Sequence, residues 1–360
     1  MQAEDNLMAK TADKRMIFLD TQVFEQLRHN YSHHKLKVMA ELAAEGHIVI
    51  ILTTVTVGEI ESHIDEKVRA ACSHLKKCID EHTILQCVKT SLLANSPKQL
   101  SAAIRGELHQ NFQEFCKAAN VRVVSSEGVN MESILKSYFQ YEQPFGEARN
   151  KEGFPDAIAG ATLEQWAERE KQQVEVVTAN RKHWQPICER SEWLRYAGDL
   201  ANVLESLQDK TTVIRLRESV SKQLSLFIPD ISSAFSDLTF CAVYQDLHTP
   251  GYLEDVIVDE VAVLEWHITS VRSSQATLDF RCKISFHAEA YFEDPNSGMW
   301  DSEDHQWLCR EHKSGSINGE DCFSCEITIT FDKDNPEAIN VCSVTFDSPM
   351  VIGVDASEIV

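Results

Sequence analysis

The sequence predicts an α/β chain: a parallel sheet with helices on both faces, followed by a smaller antiparallel β domain. Two patterns and a change of charge predict it. Through the first 200 or so residues, short apolar runs alternate with stretches of helical period, the signature of strand and helix units that cover a parallel sheet on both sides. From about residue 251 the period falls to two, as in half-buried antiparallel strands. The charge changes at the same place. Residues 1–250 hold 28 Lys and Arg against 34 Asp and Glu, a net −6, whereas residues 251–360 hold 6 against 22, a net −16. A length of 360 residues favours two domains. The expected division is an N-terminal tail over 1–15, an α/β domain over 16–200, a helical connector over 201–250 and an acidic β-rich domain over 251–360.

Asp13 to Asp20 is a polar lead into a short apolar strand, followed by helical spacing from Val23 to Leu27 and from Leu36 to Ala44. Gly46 stops that helix, and the β-branched run His47 to Leu52 suits a buried parallel strand. Glu59 opens a helix reaching about Ile79. A second runs from Gln99 to Ala119, with Leu100, Ile104, Leu108, Phe112 and Phe115 on one face, a stripe that belongs in a core. Val121 to Val124 is a third strand, Pro155 to Glu170 a helix with Pro in its first turn, and Val174 to Thr178 a fourth strand. A helical region from Trp193 to Phe227 leads to a boundary at Thr249-Pro250-Gly251. Beyond it, Val256–Val263, Thr277–Phe292, Cys325–Phe331 and Ile339–Phe346 alternate, with turns at Asp294 to Gly298 and Asp334 to Pro336. A sandwich is one arrangement for such strands.

The longest wholly apolar run, Ile48 to Leu52, is far short of the roughly 20 residues of a membrane-spanning helix. Met1 to Lys14 carries Glu4, Asp5 and Asp13 and lacks the cationic start and apolar stretch of a signal peptide, so a cytoplasmic protein is expected. Eleven cysteines, an odd number in such a chain, argue against a disulfide framework and for small buried thiols. The acidic C-terminal third is ill suited to grip a phosphate backbone, which is held by Lys and Arg. Any nucleic acid is expected to engage the N-terminal part.

Four segments far apart in the chain each bring a carboxylate or an amide to a place where a strand ends or a helix begins: Asp20, Glu59, Asp156 and Asn180. Magnesium and manganese are hard cations that take oxygen ligands, and their sites need two to four carboxylates from different elements. Taken singly, each residue has a plainer role. Asp20 suits a helix cap, Glu59 and Asp156 suit early helical turns where a carboxylate complements the dipole, and Asn180 suits a turn. Only their joint order points to a metal centre and to phosphodiester hydrolysis.

These motifs resemble those of the PIN domain, a metal-dependent nuclease family, over about residues 16–200. Ile17-Phe18-Leu19-Asp20-Thr21 is similar to its first strand and first acid, and Thr54 to Ile60 to the segment carrying its Glu. Lys151 to Ile158 resembles the third acidic motif, and Thr178 to Trp184 the fourth. The resemblance implies a metal-dependent endoribonuclease acting on RNA, single-stranded by preference, with Mg2+ or Mn2+ held by Asp20, Glu59 and Asp156, and Asn180 as a ligand or water-orienting group. Lys151, Arg181 and Lys182 are then placed to contact phosphate. The fourth motif departs from the common pattern: Asn180 stands where many members have Asp, and His183 where a second acid often precedes an aromatic residue. One negative charge is thereby lost from the site.

Cys309, His312, Cys322 and Cys325 form two pairs with two residues between the members of each, a spacing open to a structural Zn2+ site and equally to ordinary hairpin cysteines. Two classes of function therefore stand open. One is a ribonuclease serving as a toxin, an antiviral defence effector or an RNA-processing enzyme. The other is a PIN-fold binding or regulatory protein with weakened catalysis, whose acidic β domain recruits a protein partner. Homo-oligomers suit either.

Overall fold

The structure, a computed structural model, describes residues 14–81, 97–146, 151–244, 250–293, 297, 299–301, 306–308, 312–332, 338–346 and 350–354. Most of the expected N-terminal tail, the expected turn at Asp334 to Pro336 and all but Ser297 of that at Asp294 to Gly298 lie outside these residues. The chain forms two compact units that divide between Leu204 and Glu205.

The first unit runs β1 (Arg15–Leu19), α1 (Thr21–Gln26), α2 (His34–Ala44), β2 (Ile48–Thr53), α3 (Thr54–Glu81), α4 (Pro97–Ala118), β3 (Arg122–Val124), α5 (Met131–Phe139), α6 (Gly153–Glu170), β4 (Val174–Val177), α7 (Arg181–Arg190) and β5 (Leu194–Gly198), before α8 (Leu200–Leu207). The five strands are parallel in the order β3-β2-β1-β4-β5. Ile17, Phe18 and Leu19 of β1, Ile50, Ile51 and Leu52 of β2 and Val176 and Val177 of β4 are fully buried, as strands covered on both faces require. On one face Phe18 packs against Trp184 of α7 beside Leu163 and Trp166 of α6. Helices α1 and α4 meet through edge contacts of Phe24 with Phe112 and Phe115. Chain order reverses between β1 and β4, since β2 and β3 lie to one side and β5 to the other. A crevice opens at the carboxyl ends of strands flanking such a switch point. The residues that follow β1 and β4 therefore border it.

Two expectations are corrected here. The segment after Trp193 is not helical at first: Leu194–Gly198 is the edge strand β5, paired with β4. A five-residue run carries too little periodicity to distinguish strand from helix, and the open edge of β4 decides. Helix α3 begins at Thr54 rather than at Glu59, directly after β2, because Thr53 Oγ1 accepts from Thr56 N at 3.1 Å. Glu59 thus lies inside the helix, past its first turn.

The second unit continues through α9 (Lys210–Lys222), a short 3-10 turn and α10 (Ile228–Ser236) into β6 (Phe240–Tyr244), β7 (Pro250–Arg272), β8 (Gln275–Glu293), β9 (Met299–Asp301), β10 (Gln306–Leu308), β11 (His312–Phe331), β12 (Ile339–Phe346) and β13 (Met350–Val354). Six strands form one sheet in the order β12-β11-β8-β7-β6-β13, antiparallel except for the β6 and β13 pair, and β9 with β10 makes a small hairpin. Leu216 and Val220 of α9, Phe227, and Ile231 and Phe235 of α10 are buried in one core with Leu278, Phe280, Ile284 and Phe286 of β8. The helices expected as a connector over 201–250 are thus the cover of this sheet. Among the described residues the arrangement is a helix layer on a sheet and not a sandwich. The apolar stripes of these helices are readable locally, but the surface that buries them is not.

The proposed zinc ligands on described residues do not converge. Cys309 lies outside the described residues, while His312 and Cys322 stand on the single strand β11, about 33 Å apart at roughly 3.3 Å per residue. Cys322 is exposed, and Cys325 is buried with its thiol against that of Cys282. On the same strand Gly319 lies opposite Phe286, whose buried ring covers it, so that a Cβ there would collide with the ring. Gly319→Ala is expected to lower stability by about 1–3 kcal/mol in denaturant unfolding, the usual range for overpacking. An unchanged midpoint would mean that Phe286 moves aside freely.

Candidate metal centre

Asp20 follows β1 and caps α1. Its Oδ1 accepts from the backbone N–H of Thr21 at 2.9 Å, and its Oδ2 accepts from Thr178 Oγ1 at 2.6 Å. The carboxylate is therefore held on both oxygens at the switch point, 5% exposed. Its pKa is pushed up to about 7, first by burial, then by the charges of Asp156 and Glu59, while Thr178 and Thr21 act the other way. Neither acid neighbours Asp20 in sequence; the fold alone makes them repel it.

Glu59 reaches the same place from α3 and accepts from Thr21 Oγ1 through Oε2 at 3.1 Å. Burial raises its pKa, and Asp156 and Glu25 raise it further, against the opposing Thr21 hydroxyl and His63. Asp156 lies in the first turn of α6, where Oδ2 meets His183 Nδ1 at 2.6 Å, both side chains being largely buried. Burial again raises its pKa, opposed by His183 and by Trp184. The buried indole N–H of Trp184 has no partner at hydrogen-bond distance, so its effect on Asp156 is that of a nearby dipole and not of a made bond.

Asn180 is placed differently. It caps α7, its side-chain oxygen facing the His183 N–H at a long 3.4 Å, and its Nδ2 lies 3.1 Å from His183 Nδ1. His183 Nδ1 is thus shared between Asp156 Oδ2 at 2.6 Å and the Asn180 amide at 3.1 Å. Asn180 therefore braces the helix end that presents His183, and its partners are not the three acids. The group bonded to Asp20 from this strand end is Thr178, which sequence reasoning passed over. Its signal was available: a hydroxyl residue at the last turn out of β4, two positions before the expected acid. Lys151, Arg181 and Lys182 are exposed, and Arg181 bonds Gln185.

Three carboxylates from three elements thus stand near enough that Asp156 and Glu59 raise the pKa of Asp20, and Asp156 that of Glu59. Among the described residues no three His, Cys, Asp or Glu side chains are grouped tightly enough to hold an ion as they stand. The donor chemistry nevertheless fits Mg2+ or Mn2+: all three acids offer oxygen, and the groups that perturb Asp20 include no Lys or Arg to balance the charge.

A buried Asp20 with the half-buried Glu59 and Asp156 at the switch point of a parallel sheet defines an α/β domain built around an acidic centre. Residues 17–184 match the family model described as PIN domain, and the parallel sheet and helices of the N-terminal unit are consistent with a PIN-like domain. The family is of nuclease type and generally depends on divalent metal, and its match ends before the second unit. Neither the curated proteins nor the solved structures returned a match to the chain. No helix among the described residues is long and apolar enough to cross a membrane.

Proposed function

We propose that the N-terminal unit is an endoribonuclease that hydrolyses RNA phosphodiesters with Mg2+ or Mn2+ held by Asp20, Glu59 and Asp156. The observation that carries this reading is the crowding of these acids: burial raises the pKa of all three, and the charge of Asp156 further opposes ionisation of Asp20 and Glu59, which a cation relieves. When bound, a divalent ion acidifies water and neutralises charge on the phosphodiester. The chain's own residues prepare the site. Thr178 and the Thr21 amide fix both oxygens of Asp20, the Thr21 hydroxyl orients Glu59, and His183 orients Asp156. Lys151, Arg181 and Lys182 supply exposed cations on the segments that carry Asp156 and Asn180, where they attract RNA phosphates.

A catalytically weakened PIN-fold binding protein is the second reading, favoured by Asn180, whose side chain turns to His183 and the end of α7. In either case the acidic second unit suits a basic protein partner, and the cross-strand pair of exposed Glu254 and half-buried Glu289 supports that assignment. Incubation of purified protein with single-stranded RNA and Mn2+ decides between the readings, together with calorimetry of Mn2+ binding. Cleavage that disappears in a folded Asp156→Asn variant is the expected outcome. Absence of both cleavage and metal binding would overturn the nuclease reading.

A further inference from the structure

The long sheet of the second unit turns one face to the core. On β8 the even-numbered residues from Cys282 to Phe292 lie in the core shared with α9 and α10, so Ser285, His287, Glu289 and Tyr291 belong to the opposite face. Pairing sets Tyr252 of β7 against Tyr291, Glu254 against Glu289 and Ile257 against His287. The two tyrosine rings stack nearly parallel, with 5.1 Å between centroids and 11° between planes. Tyr252 is 50% exposed and Ile257 53%, so this face carries apolar surface as well as charge.

Glu254 and Glu289 follow the tyrosines two residues along their strands, roughly 7 Å away. Like charges set directly opposite destabilise a sheet, and here no cation of the chain offsets them. Glu289 accepts from the Ser316 hydroxyl, and among the described residues no Lys or Arg pairs with either acid. Lys283 and His287 on the same face of β8 are engaged elsewhere, by Glu320 at 2.6 Å and by Asp259 at 2.8 Å. Desolvation raises the pKa of the Tyr291 hydroxyl, and the charges of Glu254, Glu289 and Asp255 raise it further, so the carboxylates crowd the stacked rings. Of the protein cations, arginine matches both features. Its planar guanidinium stacks on aromatic faces and its forked N–H groups meet carboxylates in pairs, whereas a lysine ammonium is a point charge. Phosphate backbones are repelled by the same acids, and so is a second copy of this chain, at net −22.

We propose that this face docks an arginine-bearing basic segment of a partner protein, the guanidinium lying on the Tyr252 and Tyr291 rings and bonding to Glu254 and Glu289. The proposal rests on the basic partner assigned to the second unit and needs nothing of the metal centre.

The test is fluorescence anisotropy of labelled oligoarginine and oligolysine peptides of equal length with the full chain, at about 0.15 M salt to screen diffuse attraction. Wild type is compared with Tyr252→Leu, with the face pair Glu254→Gln and Glu289→Gln, and with a charge-matched control, Glu218→Gln and Asp230→Asn, at exposed positions of α9 and α10. Oligoarginine is expected to bind wild type about tenfold more tightly than oligolysine, the measure of a stacked guanidinium. Tyr252→Leu should remove that preference. The face pair should weaken oligoarginine about tenfold and the control pair less than about twofold. The face pair should also raise the thermal midpoint, because it removes opposed charges, and this separates lost binding from lost folding. Equal binding of the two peptides to wild type, an undiminished preference in Tyr252→Leu, or equal losses from the two pairs would overturn the surface and leave the unit a basic partner. Binding of neither peptide would overturn both.

Discussion

Asp20→Asn is expected to lower metal-dependent RNA cleavage by about 1,000-fold or more, roughly 4 kcal/mol of barrier, while making the metal-free protein more stable at pH 8. The opposite signs have one cause. The pKa of Asp20 is raised from an ordinary 3.8 to about 7 in the folded chain, so the folded state holds this proton more tightly than the unfolded one. The contribution of Asp20 to stability is therefore fully present below about pH 4 and is lost as the pH rises through about 7. Removing the charge restores on the order of 2 kcal/mol at pH 8, less than the whole shift implies, because the amide keeps only part of the bonding to Thr21 and Thr178. Metal binding runs the other way, since carboxylate ligands must be ionised. Thermal melts at pH 5 and pH 8, with and without Mn2+, measure all of this. A variant less stable than wild type at pH 8 without metal would show that Asp20 ionises at no cost in the fold.

The largest loss of stability is expected from Phe235→Ala, about 3–5 kcal/mol for a buried aromatic truncated to Ala. Phe235 of α10 is fully buried, and its ring lies 5.0 Å from that of Phe240, 5.6 Å from Phe286, 4.9 Å from Phe323 and 5.5 Å from Phe346. One side chain thus joins the helix layer to β6, β8, β11 and β12. The cavity it leaves is walled by four rings anchored on different strands, which cannot all collapse inward. Denaturant unfolding followed by intrinsic fluorescence should show the second unit melting early, with Phe235→Leu recovering much of the loss. A cost below about 1 kcal/mol would mean that the sheet holds without its helices.

The legible parts of the fold are those with a local cause. The runs at Met16 to Leu19, His47 to Leu52 and Val174 to Thr178 announce buried parallel strands because both faces of such strands are apolar. The stripe with Phe112 and Phe115 announces a helix through its period. Strand β5 escaped because its five residues take their conformation from the edge of β4. The long strands β7 and β11 were read as shorter pieces, since their alternation is interrupted by register shifts in the pairing of β7 with β8 and by glycines such as Gly315 and Gly319, whereas β8 was read almost whole.

The acids of the centre were visible one by one and together in their order, but order does not place them in space. By itself the sequence determined that two differently charged, differently patterned regions follow one another, and that acids sit where strands end or helices run. Period and composition are properties of neighbouring residues, and these suffice for that much. Only the tertiary structure decided that α9 and α10 roof the second sheet, that Thr178 rather than Asn180 attends Asp20, and that β11 spreads the zinc candidates along one line. These depend on what meets across a sheet or a crevice, between residues as far apart in sequence as Asp20 and Thr178. The burial that makes Asp20 hold its proton exists only once those elements have closed around it.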